Sequence, residues 1–379
     1  MDKRTRAYAA CGAIVAIFLL VQLGALALVG PFQDAGYQTV ENPQDPTNSL
    51  LYAVLILVMT GVMLAIIRFD VDWLLRLLLV GTGAYIGLFV FQILVPPVVT
   101  ASVGGAPVNV LAFAAAGVLG LALWFYPEWY VIDAAGVVMG AGAAGLFGIS
   151  FGLLPALVLL VVLAVYDAIS VYGTEHMLTL ASGVMKLKVP IVLVVPLSLS
   201  YSYLDGEMPD AVSEDEGEEG TDDESGSAES EATAGPDAGS AADGGEPVDG
   251  ADEHTGETAD EDGEAATEGD EDADPLDREA LFIGLGDAVI PTVLVASAAF
   301  FAPDSVPTVD LLGIPATVPA LTAMVGTTVG LVVLLRMVLK GRAHAGLPLL
   351  NGGTIAGYLV GALASGLTLV QATGLAPYL

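Results

Sequence analysis

The chain alternates between long apolar runs and short polar segments. A helix of about 20 apolar residues crosses a hydrocarbon core of about 30 Å. The run from 130 to 172 is divided at Gly148–Gly152, because it is too long for one span. With a mean hydropathy of +0.72, the fold class is an all-α polytopic membrane protein. We predict nine transmembrane helices over residues 8–30, 49–67, 73–95, 107–126, 130–148, 151–172, 279–302, 315–339 and 347–370.

One segment, residues 205–277, breaks this pattern with 29 acidic residues and no Lys or Arg between Asp205 and Asp274. It has almost no large apolar side chains and cannot bury a core, so we predict a disordered acidic linker. The linker separates residues 1–204, with helices one to six and the segment after them, from residues 278–379, with helices seven to nine. A regulatory or docking role is the alternative to a spacer. Such acidity also fits a halophile, whose internal salt screens charge.

The basic residues predict the orientation of the helices. Nine spans with a cytoplasmic N-terminus place the acidic linker inside, the C-terminus outside and every basic residue at the inner face of the cell membrane. A signal peptide at Met1–Gly30 is the alternative, but its apolar stretch is longer than such peptides use. The 11 basic residues are Lys3, Arg4, Arg6, Arg68, Arg76, Lys186, Lys188, Arg278, Arg336, Lys340 and Arg342.

The apolar segment Val189–Leu199 competes for the role of a span. It is short, and Pro190 and Pro196 interrupt it. Counting it as a span would place Arg336 and its neighbours outside, against the charge rule. We therefore predict that Ile191–Val195 forms a β-strand or an interfacial segment behind the sixth helix.

Cysteine and histidine offer little for metal or redox chemistry. Cys11 is the only cysteine, so a disulfide within the chain cannot form. His176, His254 and His344 all lie in predicted loops, where a lone histidine usually faces solvent. We expect neither a metal nor another cofactor.

Two aspartates, Asp167 and Asp287, each lie within a long apolar run. A carboxylate deep in a bilayer costs at least about 2.5–3.5 kcal/mol, so it is rare there and usually functional. Asp167 lies near the cytoplasmic end of the sixth predicted helix, and Asp287 about eight residues into the seventh. We expect antiparallel helices to bring both carboxyls to the same depth, in the cytoplasmic third of the membrane.

Carboxyls a few ångströms apart share one proton, so that one acts as base and the other as acid. The base takes a proton from water, the water attacks a peptide carbonyl, and the acid stabilises the oxyanion. Gly284 and Gly286 let another backbone approach Asp287, and Pro291 loosens the helix after it. The pair therefore favours hydrolysis by an aspartic protease mechanism.

Three short motifs resemble those of the presenilin and signal-peptide-peptidase family of intramembrane aspartyl proteases, in particular its archaeal presenilin homologues. Tyr166–Asp167 matches the Tyr-Asp of the sixth helix, and Gly284–Asp287 matches the Gly-x-Gly-Asp of the seventh. The family's Pro-Ala-Leu corresponds to Ala345, Gly346 and Leu347, followed by Pro348, so two of its three positions differ. Nine helices and a long loop after the sixth also match, so the resemblance covers the whole chain.

The resemblance implies a presenilin-like fold and an intramembrane-cleaving aspartic endopeptidase. The substrates of such a protease would be single-span membrane proteins with the N-terminus outside, and we expect no binding of nucleic acid. A substrate strand would pair with Ile191–Val195 or with the start of the seventh helix. The implied catalytic residues are Asp167 and Asp287, the supporting motif residues are Tyr166, Gly284, Leu285 and Gly286, and the substrate-positioning residues are Gly346, Leu347 and Pro348.

Two other classes of function use buried carboxylates. A proton- or cation-coupled transporter would use the aspartates as a relay, but the chain shows no repeated halves with matching interrupted helices. A membrane scaffold would use them only for hydrogen bonds between helices, and it would tolerate Asp→Asn at either position.

The remaining polar residues of the apolar runs receive structural interpretations. Gln22, Gln92 and Asn109 are expected to bond across helices. Asp133 is expected in the first turn of the fifth helix or at the interface. Asn351, close to the third motif, is a weak candidate for contact with a substrate backbone.

Overall fold

The computed structural model describes residues 3–69, 71–104, 106–173, 192–197, 201–202, 280–340 and 345–379. Helices dominate these ranges, and nine of them have 16 residues or more. The long helices are α1 (Lys3–Asp34), α2 (Thr47–Arg68), α3 (Asp72–Leu94), α4 (Val110–Phe125), α5 (Trp129–Ser150), α6 (Leu153–Gly173), α7 (Leu285–Phe300), α8 (Val318–Val338) and α9 (Gly346–Ala364). A short α10 (Leu369–Ala372) and a 3₁₀ turn (Ala376–Tyr378) follow.

Each of the nine predicted ranges overlaps one of these helices. Seven are long and apolar enough to cross a membrane, whereas α4 and α7 are apolar helices of 16 residues. At about 1.5 Å per residue, 16 residues span roughly 24 Å, less than the full hydrocarbon core. The division between the fifth and sixth helices is confirmed, because α5 ends at Ser150 and α6 begins at Leu153.

Three antiparallel strand pairs accompany the helices. They are β1 (Thr100–Val103) with β2 (Ala106–Asn109), β3 (Val192–Pro196) with β4 (Ala280–Gly284), and β5 (Thr308–Leu311) with β6 (Ile314–Thr317). The strand expected at 191–195 is thus confirmed, shifted by one residue, and a span at 189–199 is wrong.

The predicted start of the seventh helix at residue 279 is wrong. Ala280–Gly284 is β4, which pairs with β3, and α7 begins only at Leu285. The predicted ranges of the fourth and eighth helices likewise begin in β2 and β6. An apolar run does not distinguish a buried strand from the helix that follows it.

Small residues allow the helices to pack closely, as is usual in membrane bundles. The closest pair is α8 and α9, where a Cβ on Gly326 would overlap the carbonyl oxygen of Gly353, and one on Gly357 would overlap that of Thr322. The long helix α1, which we expect to remain in the protein and not to be cleaved as a signal peptide, packs on α5 and α7. Its Phe18 is buried.

The periphery of the bundle is apolar and exposed. In α2 only Ser49 and Ala53 are buried, while Ile56, its valines and most of its leucines are exposed. A continuous apolar surface of this kind is suited to contact with lipid. In contrast, the strands β3 and β4, which we call the β3–β4 ribbon, lie in the core, with Val194 fully buried.

Candidate active site

Asp167 lies on α6 and is 6% exposed. Its Oδ2 accepts a hydrogen bond of 3.0 Å from the backbone N–H of Leu347. Leu347 is the second residue of α9, where helical N–H groups have no partner within the helix. The N-cap residue, Ala345, has no polar side chain that could bond to this helix start. The carboxylate of Asp167 therefore caps α9 from another helix.

Asp287 lies in the first turn of α7 and is half-buried. It is the third residue of the helix, and not about eight residues into it as predicted, because β4 takes up the preceding residues. Gly284 has an extended backbone, with φ −60° and ψ 133°, at the change from strand to helix. A Cβ on Gly284 would lie 3.4 Å from Oδ2 of Asp287, so the glycine keeps the carboxyl accessible on that side.

The start of α9 brings the two aspartates to one place. Leu347 bonds to Asp167, and a Cβ on the adjacent Gly346 would lie 3.4 Å from Oδ2 of Asp287. The start of α9 is thus a common neighbour of both aspartates, and the expectation that the two carboxyls act as a pair stays a prediction.

Two helix N-termini contribute to the electrostatics of this pair. Asp287 is in the first turn of α7, and Asp167 binds the second residue of α9. A helix N-terminus carries about half a positive charge, which favours a nearby anion. Each of these helix starts therefore favours a negative charge on the carboxyl next to it.

The other motif residues surround the pair. Tyr166 is half-buried on α6 beside Asp167, and Gly286 is exposed. Leu285 is buried against α5, where it lies close to Gly140. Pro348 is the third residue of α9, a position where a missing N–H costs nothing.

A family model described as "Signal-peptide peptidase, presenilin aspartyl protease" matches residues 15–223 and 252–367. This chain belongs to that family. Two solved structures, each of a presenilin family intramembrane aspartate protease, in crystals of space groups C222 and P2, are similar to it. Both are 29% identical and cover 93% of this chain; 99% and 97% of those chains are covered, with TM-scores of 0.55 and 0.53. The chain matches none of the curated proteins.

The presenilin family resemblance drawn from the motifs is therefore confirmed. The protein is an integral membrane protein and an aspartic endopeptidase of the intramembrane-cleaving kind. Membership in a protease family does not favour the ion-relay alternative.

An apolar cavity of about 350 Å³ is lined by residues one helical turn from each aspartate of this protease. Its walls come from α2, α5, α6 and α7. Leu163 of the cavity is one turn before Asp167, and Ile290 is one turn after Asp287. Six of its lining residues belong to α2, the least buried of the seven helices long enough to cross a membrane.

Asn351 links two helices of the presenilin-like fold. Its Nδ2 donates to the carbonyl oxygen of Leu160, 2.9 Å away, and so ties α9 to α6 one turn after Leu347. This bond holds the start of α9 near Asp167. Contact with a substrate backbone, the weaker expectation for Asn351, is therefore not needed to explain the residue.

Sequence reasoning missed two contacts of the site. The N–H of Leu347 is a backbone group, so no side-chain pattern could identify it; the start of α9 was the only signal. Asp133, expected in the first turn of α5 or at the interface, is the fifth residue of that helix and bonds to Val194 of β3. An acidic residue one turn inside an apolar helix was the available signal.

Proposed function

We propose that this protease hydrolyses peptide bonds within single-span transmembrane proteins, using water activated by Asp167 and Asp287. The observation that carries the proposal is that α9 bonds to one aspartate and closely approaches the other. Carboxyls held in this way by separate helices are preorganised for a shared proton. The supporting motif residues are Tyr166 and Gly284–Gly286, and the positioning residues are Gly346–Pro348.

The reaction needs only these two groups and water. The ionised aspartate takes a proton from water while the water oxygen forms a bond to the peptide carbonyl carbon. The protonated aspartate donates to the carbonyl oxygen as it becomes an oxyanion. When the C–N bond breaks, the nitrogen takes up a proton from the aspartic acid formed in the first step. The products are a carboxylic acid and an amine, and the pair again holds one proton.

The substrate must leave its helical form before this reaction. In a helix the peptide groups are bonded to one another and shielded by side chains. An extended segment could instead pair with the β3–β4 ribbon by strand addition. The ribbon leads directly into the catalytic region, because β4 ends at Gly284 and α7 begins at the next residue. This geometry supports a substrate that is extended near the aspartates and helical farther away.

The apolar cavity supports the entry of a membrane-embedded substrate. Met59 and Met63 of α2 face α6 and α7 across it. Methionine side chains are flexible and adapt to different apolar partners. We infer that substrate side chains next to the scissile bond occupy this space, on a path from the lipid between α2 and α6.

The orientation of the enzyme follows the charge rule. We infer a cytoplasmic N-terminus and acidic linker in the cell membrane, with the C-terminus outside and substrates whose N-terminus is outside. Arg68 in the last turn of α2 and Arg336 in the last turn of α8 support this arrangement, because both lie at ends assigned to the inner face.

The substrate class is tested by reconstituting the purified protein in liposomes with a labelled single-span protein. Mass spectrometry of the products is expected to place the cut within the transmembrane segment of the substrate. The soluble domain of the same substrate, with its span removed, is the matched control and is expected to remain intact. Cleavage confined to soluble segments would overturn the proposal.

A further inference from the structure

The N-terminal end of α5 holds the β3–β4 ribbon through two residues on one face. Oδ1 of Asp133 accepts a hydrogen bond of 2.8 Å from the backbone N–H of Val194. Three residues later, a Cβ on Gly136 would lie 2.8 Å from Cδ2 of Leu193, so this glycine provides the space for β3. Residues three apart on a helix are neighbours on its surface. The carboxylate and the glycine therefore act together on one strand.

The bond to Asp133 shows which edge of β3 it occupies. In an antiparallel pair, every second residue directs its N–H and C=O to the partner strand, and the others direct them outward. Val194 is opposite Phe282 of β4, but its N–H binds Asp133, so its backbone groups point outward. Val192 and Pro196 share this outward position, and Pro196 has no N–H. The outer edge of β3 therefore offers few donors to another strand.

A second carboxylate of the same helix end holds the segment after β3. Oε1 of Glu128, the N-cap residue of α5, accepts a hydrogen bond of 2.8 Å from Oγ of Ser202. Glu128 is buried. The bonds of Glu128 and Asp133 thus fix the chain on both sides of Pro196, which anchors β3 to α5 at its outer edge and at its exit.

We infer that Asp133 is a positioning residue for the catalytic pair, because it sets the place of the β3–β4 ribbon and denies the outer edge of β3 to a substrate strand. A strand edge that is covered by a helix, with its N–H group bonded to a side chain of that helix, cannot add a further strand there. The substrate strand then has β4 as its neighbour, and β4 continues through Gly284 to Asp287. This inference rests on the proposed function, in which an extended substrate pairs with the ribbon.

The first test measures cleavage and its position in the full chain. Asp133→Asn keeps an acceptor oxygen for Val194, so its kcat is expected to stay within about threefold of wild type. Asp133→Ala removes the acceptor, and kcat is expected to fall about tenfold with KM little changed, while the cut sites in the substrate spread. Asp133→Ser, whose hydroxyl is too short to reach the amide, repeats this test if the alanine variant does not fold.

The matched control is Asp310→Ala. It removes a comparable bond, 2.7 Å from Oδ1 to the N–H of Gly313, in the exposed β5–β6 turn, and is expected to leave kcat and the cut sites unchanged. An equal decrease of kcat in Asp133→Asn and Asp133→Ala would show that the charge of Asp133, and not its hydrogen bond to Val194, is what matters, and it would overturn the inference. So would an unchanged kcat and cut site in both Asp133→Ala and Asp133→Ser.

The second test does not depend on proteolysis. Hydrogen exchange at the amide of Val194 is expected to be at least about tenfold faster in Asp133→Ala than in wild type, and near wild type in Asp133→Asn. Unchanged exchange in Asp133→Ala would show that the carboxylate does not hold β3. Faster exchange in Asp133→Ala, combined with a wild-type protein that cleaves no single-span substrate, would support the bond between Asp133 and β3 but contradict the proposed function.

Discussion

At the scale of single residues, Gly346 and Leu347 connect the two aspartates. Leu347 offers its N–H to Asp167, and Gly346 leaves space beside Asp287. The family's third motif has alanine where this chain has Gly346. A methyl group at this position would lie at contact distance from the carboxyl, whereas a longer side chain would extend into the space around it.

Substitutions of Gly346 test this contact. Gly346→Ala is expected to keep activity within about threefold, and Gly346→Leu to lower kcat/KM at least about tenfold, because overpacking displaces the neighbouring groups. The measurement is cleavage of a single-span substrate by each purified variant. Gly352→Leu is the matched control, since Gly352 is exposed on the same helix with nothing within 4 Å of a Cβ. Full activity of Gly346→Leu would contradict the assigned geometry.

The positions of Asp167 and Asp287 could be predicted because a carboxylate is unusual in an apolar run. Their common contact with the start of α9 could not. It depends on one backbone N–H and on a glycine, and neither has a side chain that a sequence pattern reveals. The role of Asp133 was missed for the same reason, since its partner is the backbone of Val194.

At the scale of elements, the close contact of α8 and α9 holds the start of α9 in the site. Gly326 and Gly353 meet where their helices cross, and there is no room for a side chain at either position. Asn351 ties α9 to α6 on the other side. The position of Gly346 therefore depends on packing farther along the same helix.

A larger residue at this crossing is expected to disturb both stability and activity. Gly353→Val should lower the free energy of unfolding by about 1–3 kcal/mol, because it forces the helices apart. It should also reduce cleavage, since the start of α9 moves with its helix. Thermal unfolding and cleavage are measured together, with Gly117→Val of α4, where nothing lies within 4 Å of a Cβ, as the control. An effect no larger than that of the control would show that the crossing does not position α9.

The elements also show where apolar patterns are ambiguous. The strand β3 could be predicted because its run is short and is bounded by Pro190 and Pro196. The strand β4 could not, because Leu281–Gly284 continues without interruption into the apolar residues of α7. Only the pairing of β4 with β3, across a long separation in sequence, distinguishes it from a helical turn.

At the scale of the whole molecule, the contacts of the site come from α5 to α7, α9 and the β3–β4 ribbon. The acidic linker predicted at 205–277 lies outside the described residues. A spacer role predicts that deleting residues 210–270 leaves kcat/KM within about threefold, because the apolar helices supply the packing. Loss of cleavage by a stably inserted deletion variant would contradict that role and favour a regulatory or docking function.

The orientation is tested with cysteine labelling, which is simple because Cys11 is the only cysteine. In a Cys11→Ser background, Asp310→Cys in the β5–β6 turn is expected to react with a membrane-impermeant maleimide in intact cells. Ser225→Cys in the linker is expected to react only after lysis. The charge rule supplies the reason, since the linker side carries the basic residues. The reverse labelling pattern would show the opposite membrane topology, with the linker outside.

The central claim is that Asp167 and Asp287 together activate water. The most direct measurement compares cleavage of a single-span substrate by wild type, Asp167→Asn, Asp287→Asn and the control Asp310→Asn, with and without a transition-state-analogue inhibitor of aspartic proteases. Wild type and Asp310→Asn are expected to cleave the substrate, and the inhibitor is expected to stop this cleavage. Each site variant is expected to cleave at least about a thousandfold more slowly than wild type while remaining folded. Substantial cleavage by either site variant would remove that aspartate from the mechanism.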